Sequence, residues 1–246
     1  MQFPFIGLLA YLVTKIIPGE DEVNKYEALY LDRLLITQAP AIALGNAKKE
    51  LVHLASYAIQ SLEASYAFFD KGDEKYFDKV EKYETAVNSI DEELTTYLID
   101  ISNESLSVSE NEVLASVLDS VRDLERIGDL AVASANLSQH IHNKGIEFSG
   151  TAKTELGDVY NRTHRIVLDS IRVVVDDDKV LAGQVILRHE ELEKLEKQLR
   201  KTHTKRLNNG ECTAQAGINY VDYLSHYTRI ADHAINLVEK VTEGVI

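Results

Sequence analysis

Glu125 and Asp129, a carboxylate pair one helical turn apart in Arg122-Asp-Leu-Glu-Arg-Ile-Gly-Asp-Leu-Ala131, are the first candidates for chemistry in this chain. At about 100° per residue, with Asp119 set at zero, they fall at roughly 240° and 280°, in one row with Leu118, Val132 and Asn136. That row borders an apolar stripe, where a carboxylate pair is costly unless something positive meets it. Two answers are open. One is a salt bridge or amide hydrogen bonds from a neighbouring helix. The other is a cation held by carboxylates from several helices, as hard-metal and di-iron bundle sites are built. Glu84, Asn88 and Asp91 flank the stripe of the preceding helix and could join; their counterparts later in the chain are His189, Glu193 and Glu196, and Asp232 is the counterpart of Asp129. The candidate ligands are therefore Glu84, Glu125, Asp129, His189 and Asp232, for a divalent or iron-type metal ion. The first half is expected to take the ion first, because it offers two carboxylates on this helix where the second half offers one.

Other constellations carry less. On the same wheel Asp119, Arg122, Asp123 and Arg126 lie on the solvent side, and Asp222 with His226 reads as a surface pair. His53, His140, His142, His164, His203 and His233 show no ligand spacing and suit surface or interhelical roles. There is no Gly-rich phosphate loop, nucleophile elbow or HExxH motif, and no paired Glu-x-x-His of a ferritin-like enzyme, so a catalytic role is not expected.

Long helices must position these residues. No proline follows Pro40, and the remainder is rich in Ala, Leu, Glu and Lys, which favours helix. Six helical stretches are predicted after the start, at 41–70, 73–101, 109–143, 151–176, 178–208 and 211–243. Gly72, Gly145, Gly150 and Gly210 fall at the breaks, Ser109 to Glu112 reads as a capping box, and Asp176-Asp177-Asp178 as an acidic turn and helix start.

The stretches repeat. Glu50-Leu51 recurs as Glu155-Leu156 and Val80 as Val185, both 105 residues later, while Asp119 recurs as Asp222 and Arg126-Ile-Gly-Asp129 as Arg229-Ile-Ala-Asp232, 103 residues later. A near-constant offset across three helices means two copies of one unit. The expected fold is all-α: two tandem three-helix bundles over 41–145 and 151–246, preceded by an N-terminal segment over 1–40 that adds helix. On the third helix of the first copy, Leu114, Val117, Val121, Leu124, Gly128, Val132 and Ala135 form the buried stripe. Gly128 sits at its centre, where the missing side chain would let a helix come close.

Composition narrows the function. The formal charge of −14 opposes nucleic-acid binding through a basic face. The single cysteine, Cys212, excludes an intrachain disulfide and a cysteine-cluster zinc site. Phe3 to Ile17 is apolar but contains Lys15 and falls short of the roughly 20 residues of a spanning helix. It reads either as a helix on the protein body or a membrane surface, or as the end of a membrane region.

The segments Arg122 to Ala131 and Tyr227-Thr-Arg-Ile-Ala-Asp-His-Ala-Ile-Asn236 resemble the paired signatures of the PhoU family, each with a Glu/Asp-x-x-x-Asp motif on a third helix. The stretch from Pro4 to Pro18, with Leu31-Asp-Arg-Leu-Leu and Ala39 to Gly45, also resembles the link into the C-terminal PhoU domain of bacterial Na/Pi-cotransporter-family proteins. These resemblances imply metal-binding bundles that regulate phosphate uptake at the cytoplasmic face of the cell membrane. They imply the regulatory end of a sodium-dependent phosphate transporter, or alternatively a free-standing regulator of a separate phosphate transporter and its signalling kinase. The implied partners are the membrane region of the transporter or the phosphate-transport machinery and the membrane surface; a homodimer fits the same family. The pattern departs at Thr228, where the second copy would carry Glu, and at Ala133, where the first would carry an Asn-like residue; the second metal site is the weaker on that ground.

Overall fold

The structure, a computed structural model, describes residues 26–244, so the reading of the apolar start lies outside the described residues. Seven helices and no strand occur among them: α1 (Arg33–Gln38), α2 (Pro40–Lys71), α3 (Glu74–Ser102), α4 (Val108–Lys144), α5 (Gly150–Asp176), α6 (Lys179–Asn208) and α7 (Ala214–Glu243).

Local chemistry sets the ends. Pro40 opens α2, where its missing N–H costs nothing. Side chains of Asp73, Ser149, Asp178 and Thr213 accept from free amides at the starts of α3, α5, α6 and α7. The capping box of α4 is Ser107 with Glu110, two residues earlier than expected: Ser107 N–H donates to Glu110 at 2.7 Å and Glu110 N–H to Ser107 Oγ at 3.3 Å. Gly72 ends α2 in the left-handed region at φ 66°, and its repeat counterpart Asp177 ends α5 there at φ 50°.

Helices α2, α3 and α4 pack on one another, as do α5, α6 and α7, which is the expected pair of three-helix bundles. Helix α4 then packs against α7, and α2 against α5, so one apolar core runs through both halves. Helix α1 and residues 26–32 lie on the first bundle. Glu50, fully buried, accepts from the amides of Leu29 and Tyr30 at 2.8 and 2.7 Å. Ser89 donates to the Tyr26 carbonyl and Tyr97 to that of Asp32.

The predicted stripe of α4 is buried at Leu114, Val117, Val121, Leu124, Gly128 and Ala135. Gly128 rests on α3, where an added Cβ would meet Val87 at 3.4 Å. That is ordinary contact, so close approach does not demand glycine, and Ala231 fits the matching place on α7. A second face of α4 is buried as well, along Ser116, Ser120, Asp123, Ile127, Leu130, Ser134 and Ser138. This face meets α7. The hydroxyls of Ser120, Ser134 and Ser138 donate to carbonyls one turn back on α4, so these small side chains line the contact with their polar atoms satisfied, while the buried Ser116 hydroxyl has no partner among the described residues.

Candidate functional site

The third helix of each half carries its candidate ligands along the groove shared with the second helix. In the first half, Glu84 and Asp91 of α3 face Glu125 and Asp129 of α4. Burial raises the pKa of Glu84, and the charge of Asp129 raises it further. Glu125 is raised by burial, then by the charge of Asp129 and their mutual hydrogen bond, with Asp91 adding to it and Arg126 opposing. Asp91 is raised by burial against a hydrogen bond from Thr95 and the charge of Arg122. Arg126 is the cation in contact with the pair, 3.1 Å from Asp129 and 3.5 Å from Glu125. This groove holds excess negative charge in partly dry surroundings.

The second half brings its candidates closer. His189 of α6 lies 2.8 Å from Asp232 of α7, Nε2 to Oδ1. With Glu193, one turn along α6, each residue offers one ligand atom and all three atoms lie within 4.8 Å of one another. The hydrogen bond to Asp232 raises the His189 pKa against the cost of burial, and the charges of Asp232, Glu193 and Glu239 add to the rise. One imidazole and two carboxylates form a nitrogen–oxygen donor set of the type a divalent transition metal takes. Thr228, at the position matching Glu125, donates its hydroxyl to the Leu224 carbonyl at 2.9 Å. Glu196, matching Asp91, is paired with Arg200, which reaches Ser225 at 2.7 Å.

Two sequence expectations are corrected. Asp123 is not on the solvent side: it lies buried between α4 and α7, accepting from His233 at 3.0 Å, Asn236 at 2.7 Å and Lys240 at 2.9 Å. His226 is not half of a surface pair either. Its Nδ1 lies 3.1 Å from Ser134 Oγ in the same interface, and burial lowers its pKa, with Arg229 lowering it further against Asp222. The single-stripe wheel missed both because serine scores as polar. The spacing of Ser116, Ser120, Ser134 and Ser138 along one line was the available signal.

The sequence pattern of the PhoU domain matches the chain twice, over residues 51–137 and 156–241, one match to each bundle. The chain belongs to the PhoU domain family. Its fold is that of solved PhoU structures. PhoU from Pseudomonas aeruginosa superimposes with a TM-score of 0.72 at 21% identity, over 84% of this chain and 99% of that one. The phosphate transport system regulatory protein PhoU from Streptococcus pneumoniae gives 0.73 at 15% identity, over 82% and 95%. In sequence, the phosphate-specific transport system accessory protein PhoU homolog 1 from Thermotoga maritima is 29% identical over 128 residues, 52% of this chain and 54% of that protein. The chain thus spans about half the length of the curated relative it matches. The two PhoU matches fall where the internal repeat falls, so the carboxylate grooves occupy equivalent places in the two PhoU units. No helix among the described residues is long and apolar enough to cross a membrane.

Proposed function

We propose that this chain is a regulator of phosphate transport that works by contact, not catalysis, on a separate transporter and its signalling kinase at the cytoplasmic face of the membrane. The observation that carries this reading is the double family match together with the name of the Thermotoga maritima relative, an accessory protein of a phosphate-specific transport system. The relatives are named as PhoU proteins, which favours the free-standing alternative over the transporter end that the sequence put first. The transporter reading is supported by the stretch from Pro4 to Pro18 together with Leu31-Asp-Arg-Leu-Leu and Ala39 to Gly45. The test is phosphate uptake in cells lacking the gene: uptake should stop responding to external phosphate and recover the response when the gene is restored. An unchanged response would overturn the proposal.

Within that reading, His189, Glu193 and Asp232 are the residues proposed to hold a divalent or iron-type cation, which would tie α6 to α7 and so set the surface the bundle offers a partner. Counting carboxylates favours the first half; the distances favour the second. Glu84, Glu125 and Asp129 are a secondary locus in this proposal, drawn together by a cation only if it relieves their mutual repulsion.

A further inference from the structure

Asp169 on α5 has a side chain only 1% exposed and is surrounded by three guanidinium groups. Arg165 Nε lies 2.7 Å from its Oδ2, Arg188 Nη1 of α6 2.5 Å from the same oxygen, and Arg172 Nη1 3.2 Å from Oδ1. One cation neutralises a buried carboxylate, so the group carries a surplus of about two positive charges. Gln184 accepts from Arg188 at 3.3 Å, and among the described ion pairs none of the three arginines meets a second carboxylate. This stands out in a chain of formal charge −14.

The fold does not require it. In the first half the matching positions are Gln60, Ala64, Ala67 and Tyr83, so the same helix pair packs there without charge. In the second half Arg165 and Arg172 are 61% and 62% exposed. One nitrogen of each is fixed by a buried anchor, and the other guanidinium nitrogens of Arg165 and Arg172 have no partner among the described hydrogen bonds. That is the arrangement in which arginine binds oxyanions through paired, charge-assisted hydrogen bonds with little ordering left to do.

We propose that Arg165, Arg172 and Arg188, fanned around Asp169, form a binding site for a phosphate-type dianion. The surplus charge matches a doubly charged oxyanion, and the donors gather about a single carboxylate, as a compact tetrahedral ligand needs. An extended acidic segment along α5 would run into Asp158 on one side and Asp176 and Asp177 on the other. Helix α6 turns Arg188 to α5 and the adjacent His189 to α7, so this site is separate from the proposed cation site. The inference stands independently of the regulatory role.

The experiment is calorimetric titration of the purified full chain with inorganic phosphate and, in a second arm, phenyl phosphate, at constant ionic strength. The R165Q/R172Q variant leaves the Arg188–Asp169 pair in place and changes only exposed side chains. It should keep the parent melting temperature and lose about tenfold or more in phosphate affinity. Tighter binding of free phosphate assigns the site to the ion, and tighter binding of the ester to a phosphorylated group; either supports the proposal. Should the glutamine variant fail to fold, R165K/R172K, which keeps charge but not the fork, should bind several-fold more weakly than the parent. Absence of saturable binding of both probes, or parent-like affinity in the tested variant, would overturn it.

Discussion

The two bundles share a backbone plan and differ in what they do with buried charge. Glu50 and Glu155 occupy matching positions, yet Glu50 accepts from two backbone amides and His53, while Glu155 takes both terminal nitrogens of Arg206 at 2.8 and 2.6 Å and the hydroxyl of Tyr220 at 2.6 Å. Where the second half has Arg206 and Tyr220, the first has Ile101 and Val117. The groove carboxylates differ the same way: four acids in the first half, with Arg126 touching two of them and the charge of Arg122 acting on Asp91, and a compact His–Glu–Asp group in the second. Repetition preserved the apolar stripes, which any three-helix bundle needs. The polar interior was free to diverge, because each buried charge needs only some partner, not a particular one.

The largest test of this contrast is truncation of the two matching glutamates. Burial opposes ionisation of Glu155, but the hydrogen bonds from Arg206 and Tyr220 and the Arg206 charge outweigh it and hold its pKa low. Glu155→Ala should cost about 3–5 kcal/mol, since it strands a largely buried guanidinium. Glu50→Ala should cost about 1–3 kcal/mol, because it leaves neutral backbone amides of two exposed residues, Leu29 and Tyr30, rather than a charged group without their partner. Urea unfolding measures both. Equal losses would mean that partner identity does not matter, and the contrast would fail.

Next in size is cation binding. Titration of Mn²⁺ or Zn²⁺ into the metal-stripped protein should weaken about tenfold or more in the H189Q/D232N variant, as two of three donors are removed. The E125Q/D129N variant should change affinity less. The reverse order would return the primary site to the first half, as the count of carboxylates alone suggests.

Much of this was legible in the sequence. The repeat offset placed the six long helices within a few residues, and the missing prolines together with glycines at the breaks made the fold class plain. Pairing of Asp129 with Asp232 and of Glu84 with His189 was also readable, since a helix groove preserves register. What stayed hidden was the contact between the bundles. Asp123, His226 and the serine line lie on a face of α4 or α7 that is polar by composition and buried only because the other half covers it. A helix wheel knows one neighbour, and α4 has two. Asp169 was hidden for another reason: its three arginines come from both flanks of its own helix and from α6, and only folding shows that they share one carboxylate.

A smaller effect separates the two grooves without any ion. Glu125→Gln removes a like charge from the first groove and should stabilise the metal-free protein by about 0.5 kcal/mol. Asp232→Asn takes away the acceptor of His189 and should destabilise it by a similar amount, kept small because Asp232 is 50% exposed. Paired melting curves in chelator give the comparison, and a shift of the same sign for both would contradict the electrostatic difference drawn between the halves.

The smallest expected effect is in the pH response, where the two kinds of site have opposite signs. His226, with its pKa lowered by burial between α4 and α7, stays neutral in the folded chain while the unfolded chain takes up a proton near the ordinary histidine value of about 6.5. Between that value and the lowered one the unfolded state binds more protons, so stability falls as pH falls. Glu125 is raised by burial and by Asp129, so the folded state takes up its proton before the unfolded chain does near about 4.3, and stability rises as pH falls through the folded value. The folded chain therefore loses stability at the interface and gains it in the first groove over neighbouring windows of pH. Urea midpoints followed from about pH 7 to about pH 4.5 should decline less steeply in His226→Gln than in the parent, because the variant has no proton to gain there. In Glu125→Gln the decline should steepen, because the compensating uptake in the groove is gone. Parallel curves for parent and both variants would mean that neither burial perturbs its group in the folded chain, and the interface would then be wetter than the close contact of Ser134 with His226 implies.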